Sequence, residues 1–233
     1  SKGFVAIDGA LPPEGLAAFV EEAARADDAG LLRRPEQPTF GQRGDRIRWT
    51  NEALEAVRAP ALAAAARLLR GAAEALVPAL SRLHEERSAA GEPAYQSPIA
   101  PPARDGAVLT VAPEAMLSTY PPGARYVAHQ DNRHVGPGGR RQNPRELTAI
   151  IYANPPDWDQ ARDGGELKLY LGSEREKQCP ARRTSHGQSK WVTLSPLGGR
   201  MVVFFSALWH EVLPARRMRR ALTLWIFRPT QDE

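Results

Sequence analysis

The sequence predicts an α+β fold: a double-sheet β-sandwich of the jelly-roll type, buttressed by N-terminal helices. Three observations predict it. Apolar residues in the first ninety positions recur mainly at helical spacing. A proline-rich stretch, GEPAYQSPIAPPARDG (91–106), then interrupts the pattern. Beyond it, short apolar runs of strand length alternate with turn signals, seven or eight in all, with no helix expected among them. One domain is expected over residues 1–233, with a helical support layer over 1–92 and the jelly-roll core over 107–228.

The elements follow in order. FVAI reads as a short strand. Pro12-Pro13 opens a helix, because proline's fixed φ suits the first turn and its missing N–H is not needed there. Leu16, Phe19, Val20 and Ala23 give that helix one apolar face, and Gly30 ends it. Residues 31–44 read as loop and DRIRWT as strand. The segment 52–87 is helical, with breaks expected at Pro60 and Pro78. Leu69, Ala72, Leu76 and Leu80 form its core-facing stripe. The strand candidates of the second half are AVLTVAPEAMLSTY, RYVAHQD, ELTAIIYAN, GELKLYLG, KWVTLSP, RMVVFFSAL, HEVLPA and RALTLWIFRP.

Bulk properties narrow the function classes. The 233 residues are 42% hydrophobic and 25% charged, an ordinary balance for a chain with one sizeable core. The net charge of +4 and pI near 9.5 are too diffuse to argue for nucleic acid. One cysteine, Cys179, rules out a disulfide within these residues and fits a reducing compartment. No run of 18 apolar residues is present, so no membrane span is expected. The opening residues show no secretory-leader pattern.

Five histidines are available for chemistry: His84, His129, His134, His186 and His210. His84 sits in the charged helix end RLHEER and reads as solvated. His134 and His186 lie in Gly- and Arg-rich loops and read as surface residues. His129 and His210 sit at the edges of apolar strands. Strand side chains alternate between faces, so His129 and Asp131, two apart, share a face. A third ligand from another strand, His210, would complete two histidines and one carboxylate, the facial set of non-haem Fe(II) oxygenases. Three coordination positions would stay open for a chelating cosubstrate and O₂. Zinc hydrolysis is the formal competitor for the same donors.

A dicarboxylate cosubstrate needs a cation, and arginine's planar fork suits a carboxylate. HEVLPARRMRRALTLW offers Arg216, Arg217, Arg219 and Arg220. Arg219 shares a face with Ala221, Thr223 and Trp225. Arg220 shares a face with Leu222, Leu224 and Ile226. Parity alone does not say which face lines the pocket.

Four stretches resemble one family: RGDRIRW (43–49), TYPPGARYVAHQDN (119–132), NPPDWDQARDGGELKLYL (154–171) and HEVLPARRMRRALTLW (210–225). They span about 180 residues. They resemble the 2-oxoglutarate- and Fe(II)-dependent prolyl 4-hydroxylases, most of all the cytosolic hypoxia-inducible-factor type. The resemblance implies a double-stranded β-helix of cupin-like form. It implies that His129, Asp131 and His210 bind the metal. It selects Arg219, nine residues after the distal histidine, as the cosubstrate arginine, with Tyr152 holding the same carboxylate. Thr148 and Ile150 share the parity of Tyr152. Tyr120 matches a tyrosine near the iron-proximal end of the cosubstrate. Met116, Tyr126, Leu167, Val212, Thr223 and Trp225 match other pocket-wall positions. Asp45 with Arg145 matches an ion pair that tethers a mobile loop. The sequence departs from the family in the basic segments RHVGPGGRRQNPR and GSEREKQCPARRTSHGQSK, which bear on the choice of substrate.

The implied activity is 2-oxoglutarate- and O₂-dependent hydroxylation of prolyl residues in a protein or peptide, through a ferryl species, with oxygen sensing as a role. Fe(II), 2-oxoglutarate and O₂ would be required, with ascorbate as reductant. A monomer in the cytoplasm or nucleus is expected, with no membrane partner and nucleic acid not favoured. Rival readings are an oxygenase acting on a free amino acid, a small metabolite or an alkylated base; a non-catalytic binding module; and a zinc hydrolase.

Overall fold

The computed structural model describes residues 3–36, 42–89, 109–132, 134–135, 140–141, 143–171 and 190–227. The chain opens with β1 (Phe4–Ile7), α1 (Pro13–Asp28), β2 (Arg46–Thr50), α2 (Glu52–Arg58) and α3 (Pro60–Ala89). Then come β3 (Thr110–Val111), β4 (Ala115–Tyr120), β5 (Tyr126–His129), β6 (His134–Val135), β7 (Arg140–Arg141) and β8 (Arg145–Tyr152). A short helix, α4 (Gln160–Asp163), precedes β9 (Leu167–Tyr170), β10 (Trp191–Leu194), β11 (Met201–Phe205), β12 (His210–Val212) and β13 (Arg219–Phe227).

Two antiparallel sheets carry the architecture. The major sheet runs β1-β11-β8-β13-β4-β2, with β3 also paired to β13, and the minor sheet runs β10-β9-β12-β5. This is the expected jelly-roll with helices behind it. Strand parity divides the major sheet cleanly. Leu117, Ile151, Leu222 and Leu224 are buried in one core with Phe19, Ala23, Leu62 and Leu69 of α1 and α3. Met116, Ser118, Thr148, Ile150, Arg219 and Thr223 line a cavity on the opposite face. The helices therefore cover the apolar face of the sheet, and the more polar face turns to the minor sheet.

Four expectations are corrected. The division between a helical layer over 1–92 and a jelly-roll over 107–228 is crossed by β1 and β2, which extend the major sheet at both ends by pairing with β11 and β4. A helix, α4, does lie among the strands; Asp159 caps it by accepting from Arg162 N at 2.7 Å. Helix α3 runs through Pro78 rather than breaking there. That position is solvent-exposed, so the bulk of the ring does not disturb packing on the sheet. Finally, AVLTVAPEAMLSTY forms two strands, β3 and β4, separated by the bend at Pro113-Glu114. The break expected at Pro60 is found: α2 ends at Arg58 and Pro60 starts α3.

Candidate active site

The cavity lies between the sheets and has a volume of about 150 Å³. At one end β5 delivers His129 and β12 delivers His210. The two are cross-strand partners, so their imidazoles rise side by side from one face. Each Nδ1 lies 2.9 Å from a backbone carbonyl two residues back, Val127 O for His129 and Leu208 O for His210. A donating Nδ1–H leaves the lone pair on Nε2. Both Nε2 atoms face Oδ1 of Asp131, at 3.7 and 3.8 Å. All three donor atoms lie within 4.8 Å of one another.

The second carboxylate oxygen of Asp131 is committed elsewhere. Its Oδ2 accepts from Thr148 Oγ1 at 2.7 Å and from Trp225 Nε1 at 3.0 Å. Thr148 in turn shares a 2.9 Å hydrogen bond with Ser206 Oγ. One oxygen is thus pinned to the major sheet while the other points at the imidazoles. Burial opposes the charged form of Asp131, but His210, His129 and Arg145 outweigh it and hold the carboxyl below its ordinary range. Burial, then repulsion from His210, pulls His129 down to about 3. A neutral imidazole beside an ionised carboxylate is the donor state a divalent metal requires.

At the other end lies Arg219, 2% exposed. Its Nε donates to Gly165 O at 2.8 Å. Gly164 and Gly165 make that contact available. Both have positive φ, +62° and +75°, and a Cβ on Gly164 would stand 2.6 Å from Pro214 O. The glycine pair in DGGELKLYL is therefore a backbone cradle for the arginine. Tyr120 and Tyr152 flank the guanidinium, with ring centres 4.9 and 5.0 Å from Cζ. Burial pushes both phenols up, so both stay protonated. Among the described residues no carboxylate lies within 4.0 Å of Arg219. The buried Tyr152 hydroxyl sits in the field of the guanidinium without a well-formed hydrogen-bond partner.

The face left open by parity is settled: Arg219 points into the cavity, while Arg220 points to the helices, 3.9 Å from Asp27. Met116, Thr148, Ile150, Leu167, Val212, Thr223 and Trp225 line the cavity with Tyr120 and Tyr126. Tyr152 is fully buried against Arg219, off the cavity wall. Tyr120 sits at the Arg219 end, opposite it in register.

One implied contact is overturned. Asp45 does not pair with Arg145. It is held by Arg43, with Nε–Oδ1 2.6 Å and Nη2–Oδ2 2.5 Å. A fork two residues away satisfies both oxygens of this 1% exposed carboxylate at once. Arg145 instead stacks on Trp225, its Cζ 4.0 Å from the ring centre. The sequence reading also missed Arg43, Ile47, Trp49 and Ser118 as lining residues. Trp49 packs 5.7 Å from Trp225 and is 46% exposed, which places it at the mouth. The alternation of β2 would have paired Ile47 with Trp49 on one face. His186, Cys179 and most of the two basic segments lie outside the described residues, as do the side chains of His84 and His134.

Residues 115–227 match the 2OG-Fe(II) oxygenase superfamily. The chain is 36% identical over 114 residues to the hypoxia-inducible factor prolyl hydroxylase of Caenorhabditis elegans, covering 48% of this chain and 13% of that one. It is 32% identical over 117 residues to Egl nine homolog 1 of Homo sapiens, covering 49% of this chain and 22% of that one. It thus spans well under half the length of these relatives. Among solved structures, it resembles a prolyl hydroxylase from Trichoplax adhaerens in complex with a hypoxia inducible factor oxygen degradation domain peptide fragment. That likeness has a TM-score of 0.67 at 23% identity, over 98% of this chain and 84% of the other. A prolyl-4-hydroxylase from Pseudomonas putida matches with a TM-score of 0.59 at 26% identity, over 98% and 94% of the two chains.

Proposed function

We propose, from the match of residues 115–227 to the 2OG-Fe(II) oxygenase superfamily, that this chain hydroxylates prolyl residues of a protein or peptide, using 2-oxoglutarate and O₂. The observation that carries the reading is the pairing of two features across one small cavity. A His-Asp-His donor set stands at one end. A buried arginine with no carboxylate partner among the described residues stands at the other, with the Tyr152 hydroxyl in its field. A buried cation is costly without an anion. One carboxylate of a dicarboxylate would supply that anion, and the cavity volume of about 150 Å³ suits a molecule of that size.

His129, Asp131 and His210 would hold Fe(II). The donors fit the metal: two imidazoles, one carboxylate and no thiolate. When bound, iron with 2-oxoglutarate and O₂ supplies the oxidising chemistry that converts a C–H bond to C–OH. The chain's own groups bind and orient. Arg219 would clamp the remote carboxylate of the cosubstrate, with Tyr152 packed against its guanidinium. Ile150, Leu167, Val212 and Thr223 would pack along its methylenes and exclude water. Thr148 and Trp225 fix which oxygen of Asp131 faces the metal.

The substrate would enter past Trp49, which stands exposed at the mouth against Trp225. A cavity of this size has no room for a second large molecule, so only a small group can project inward. A pyrrolidine ring presented by a peptide against aromatic walls meets that condition. The Caenorhabditis elegans and Pseudomonas putida proteins it resembles, both prolyl hydroxylases by name, support the same choice. No helix among the described residues is long and apolar enough to cross a membrane; action in the cytoplasm or nucleus, as a monomer and with oxygen sensing as its role, belongs to the proposal. The test is turnover with Fe(II), 2-oxoglutarate and ascorbate. Proline-containing peptides should release succinate and gain one oxygen atom. Succinate release driven by alkylated oligonucleotides or free amino acids, with none from peptides, would overturn the prolyl assignment.

A further inference from the structure

We propose that Tyr126 and Arg43 are positioning residues for the metal ligand His129. The proposal rests on the metal-site reading above. It starts from a break in strand alternation. In a regular strand Tyr126 and His129, three apart, would face opposite ways. Here the register of β5 against β12 shifts: His129 pairs with His210, yet Tyr126 pairs with Val212. Three steps along β5 match two along β12. The extra residue is a β-bulge, a device that re-aims side chains beside functional sites. It turns Tyr126 onto the face of His129. The phenol then stacks on the imidazole, with ring centres 3.6 Å apart and planes 14° from parallel.

The tyrosine is itself held. The Arg43 guanidinium lies 4.7 Å from its ring centre, a cation–π arrangement. Asp45 fixes the fork of Arg43 through two hydrogen bonds. The backbone locks this segment to β5: Val127 N donates to Gln42 O and Gly44 N donates to Arg125 O, both at 2.8 Å. Gly44 permits the approach, since a Cβ there would come within 3.1 Å of Ala124 Cβ. The Nδ1 hydrogen bond to Val127 O fixes one atom of the His129 ring, and the stack fixes its plane. Together they aim Nε2 at Asp131. The segment Arg43–Asp45 lies far outside residues 115–227, so the ligand is oriented from the N-terminal part of the chain.

The test titrates Mn(II), a redox-silent stand-in for the metal, into the purified chain and its variants by calorimetry, with circular dichroism confirming the fold. Tyr126→Leu should bind Mn(II) about tenfold or more weakly, the range for losing an outer-shell partner. Tyr126→Phe keeps the stack and should bind within about twofold of the parent. Arg43→Met should lose about three- to tenfold, and it decides the matter if Tyr126→Leu does not fold. If folded Tyr126→Leu binds Mn(II) as tightly as Tyr126→Phe, the positioning role is wrong. Undiminished binding by His129→Ala would instead overturn the metal-site reading itself, a separate outcome from the same titration.

Discussion

His129 and His210 stand opposite each other on adjacent antiparallel strands, their rings 4.1 Å apart, and both turn Nε2 towards the same oxygen of Asp131. Two ligands thus come from the minor sheet. The third is steered by the major sheet, through Thr148 of β8 and Trp225 of β13.

That steering is the first prediction. Thr148→Ala and Trp225→Phe each remove one hydrogen bond to Asp131 Oδ2 and let the carboxylate rotate. Each should weaken metal binding about 10- to 100-fold, read by Mn(II) titration. Equal affinity in both variants would mean that the carboxylate orientation is set by something else.

The cosubstrate end makes a second prediction. Arg219→Gln should weaken 2-oxoglutarate binding by about 2 kcal/mol or more, because a charged partner of a buried carboxylate is lost. Arg219→Lys should recover only part of this, since an ammonium lacks the planar fork. Tyr152→Phe should cost about 1 kcal/mol, one hydrogen bond. The KM for 2-oxoglutarate measures all three.

Acid should destabilise the metal-free protein through His129. Its folded pKa is depressed below the ordinary 6.5. The unfolded chain therefore binds more protons in mild acid, and stability falls as pH drops below about 6.5, by up to about 1.4 kcal/mol per pH unit. Urea unfolding at about pH 7.5 and about pH 5.5 reads the loss. His129→Asn should flatten the dependence, and an unchanged slope in that variant would assign it to another group.

Adjacent residues of β13 should separate stability from function. Leu222 is fully buried against the helices. Leu222→Ala should cost about 2–5 kcal/mol in urea unfolding and leave Mn(II) affinity unchanged. Thr223 faces the cavity. Thr223→Leu should crowd it and raise the KM for 2-oxoglutarate, with a smaller effect on stability.

Much of this was legible in the chain. The change of hydrophobic period after the proline-rich stretch marks the sandwich, and parity alone puts His129 and Asp131 on one face. The rest depends on events that periodicity does not encode. The bulge in β5 reverses the parity of Tyr126, so alternation points it the wrong way. The Arg43–Asp45 pair forms between near neighbours because a buried carboxylate takes the fork that reaches both its oxygens. The side of β13 that faces the cavity is fixed only when the helices claim Leu222 and Leu224. Joining of β1 and β2 to the major sheet is a long-range pairing, and their short apolar patterns carry no mark of it.

The central claim is that the His-Asp-His set and Arg219 are two ends of one ligand site. Equilibrium binding of 2-oxoglutarate to the chain, with and without Mn(II), tests it most directly. The account predicts one 2-oxoglutarate per chain, with binding strongly enhanced by Mn(II) and lost in both His210→Ala and Arg219→Gln. Binding of equal strength without metal and in His210→Ala would contradict it.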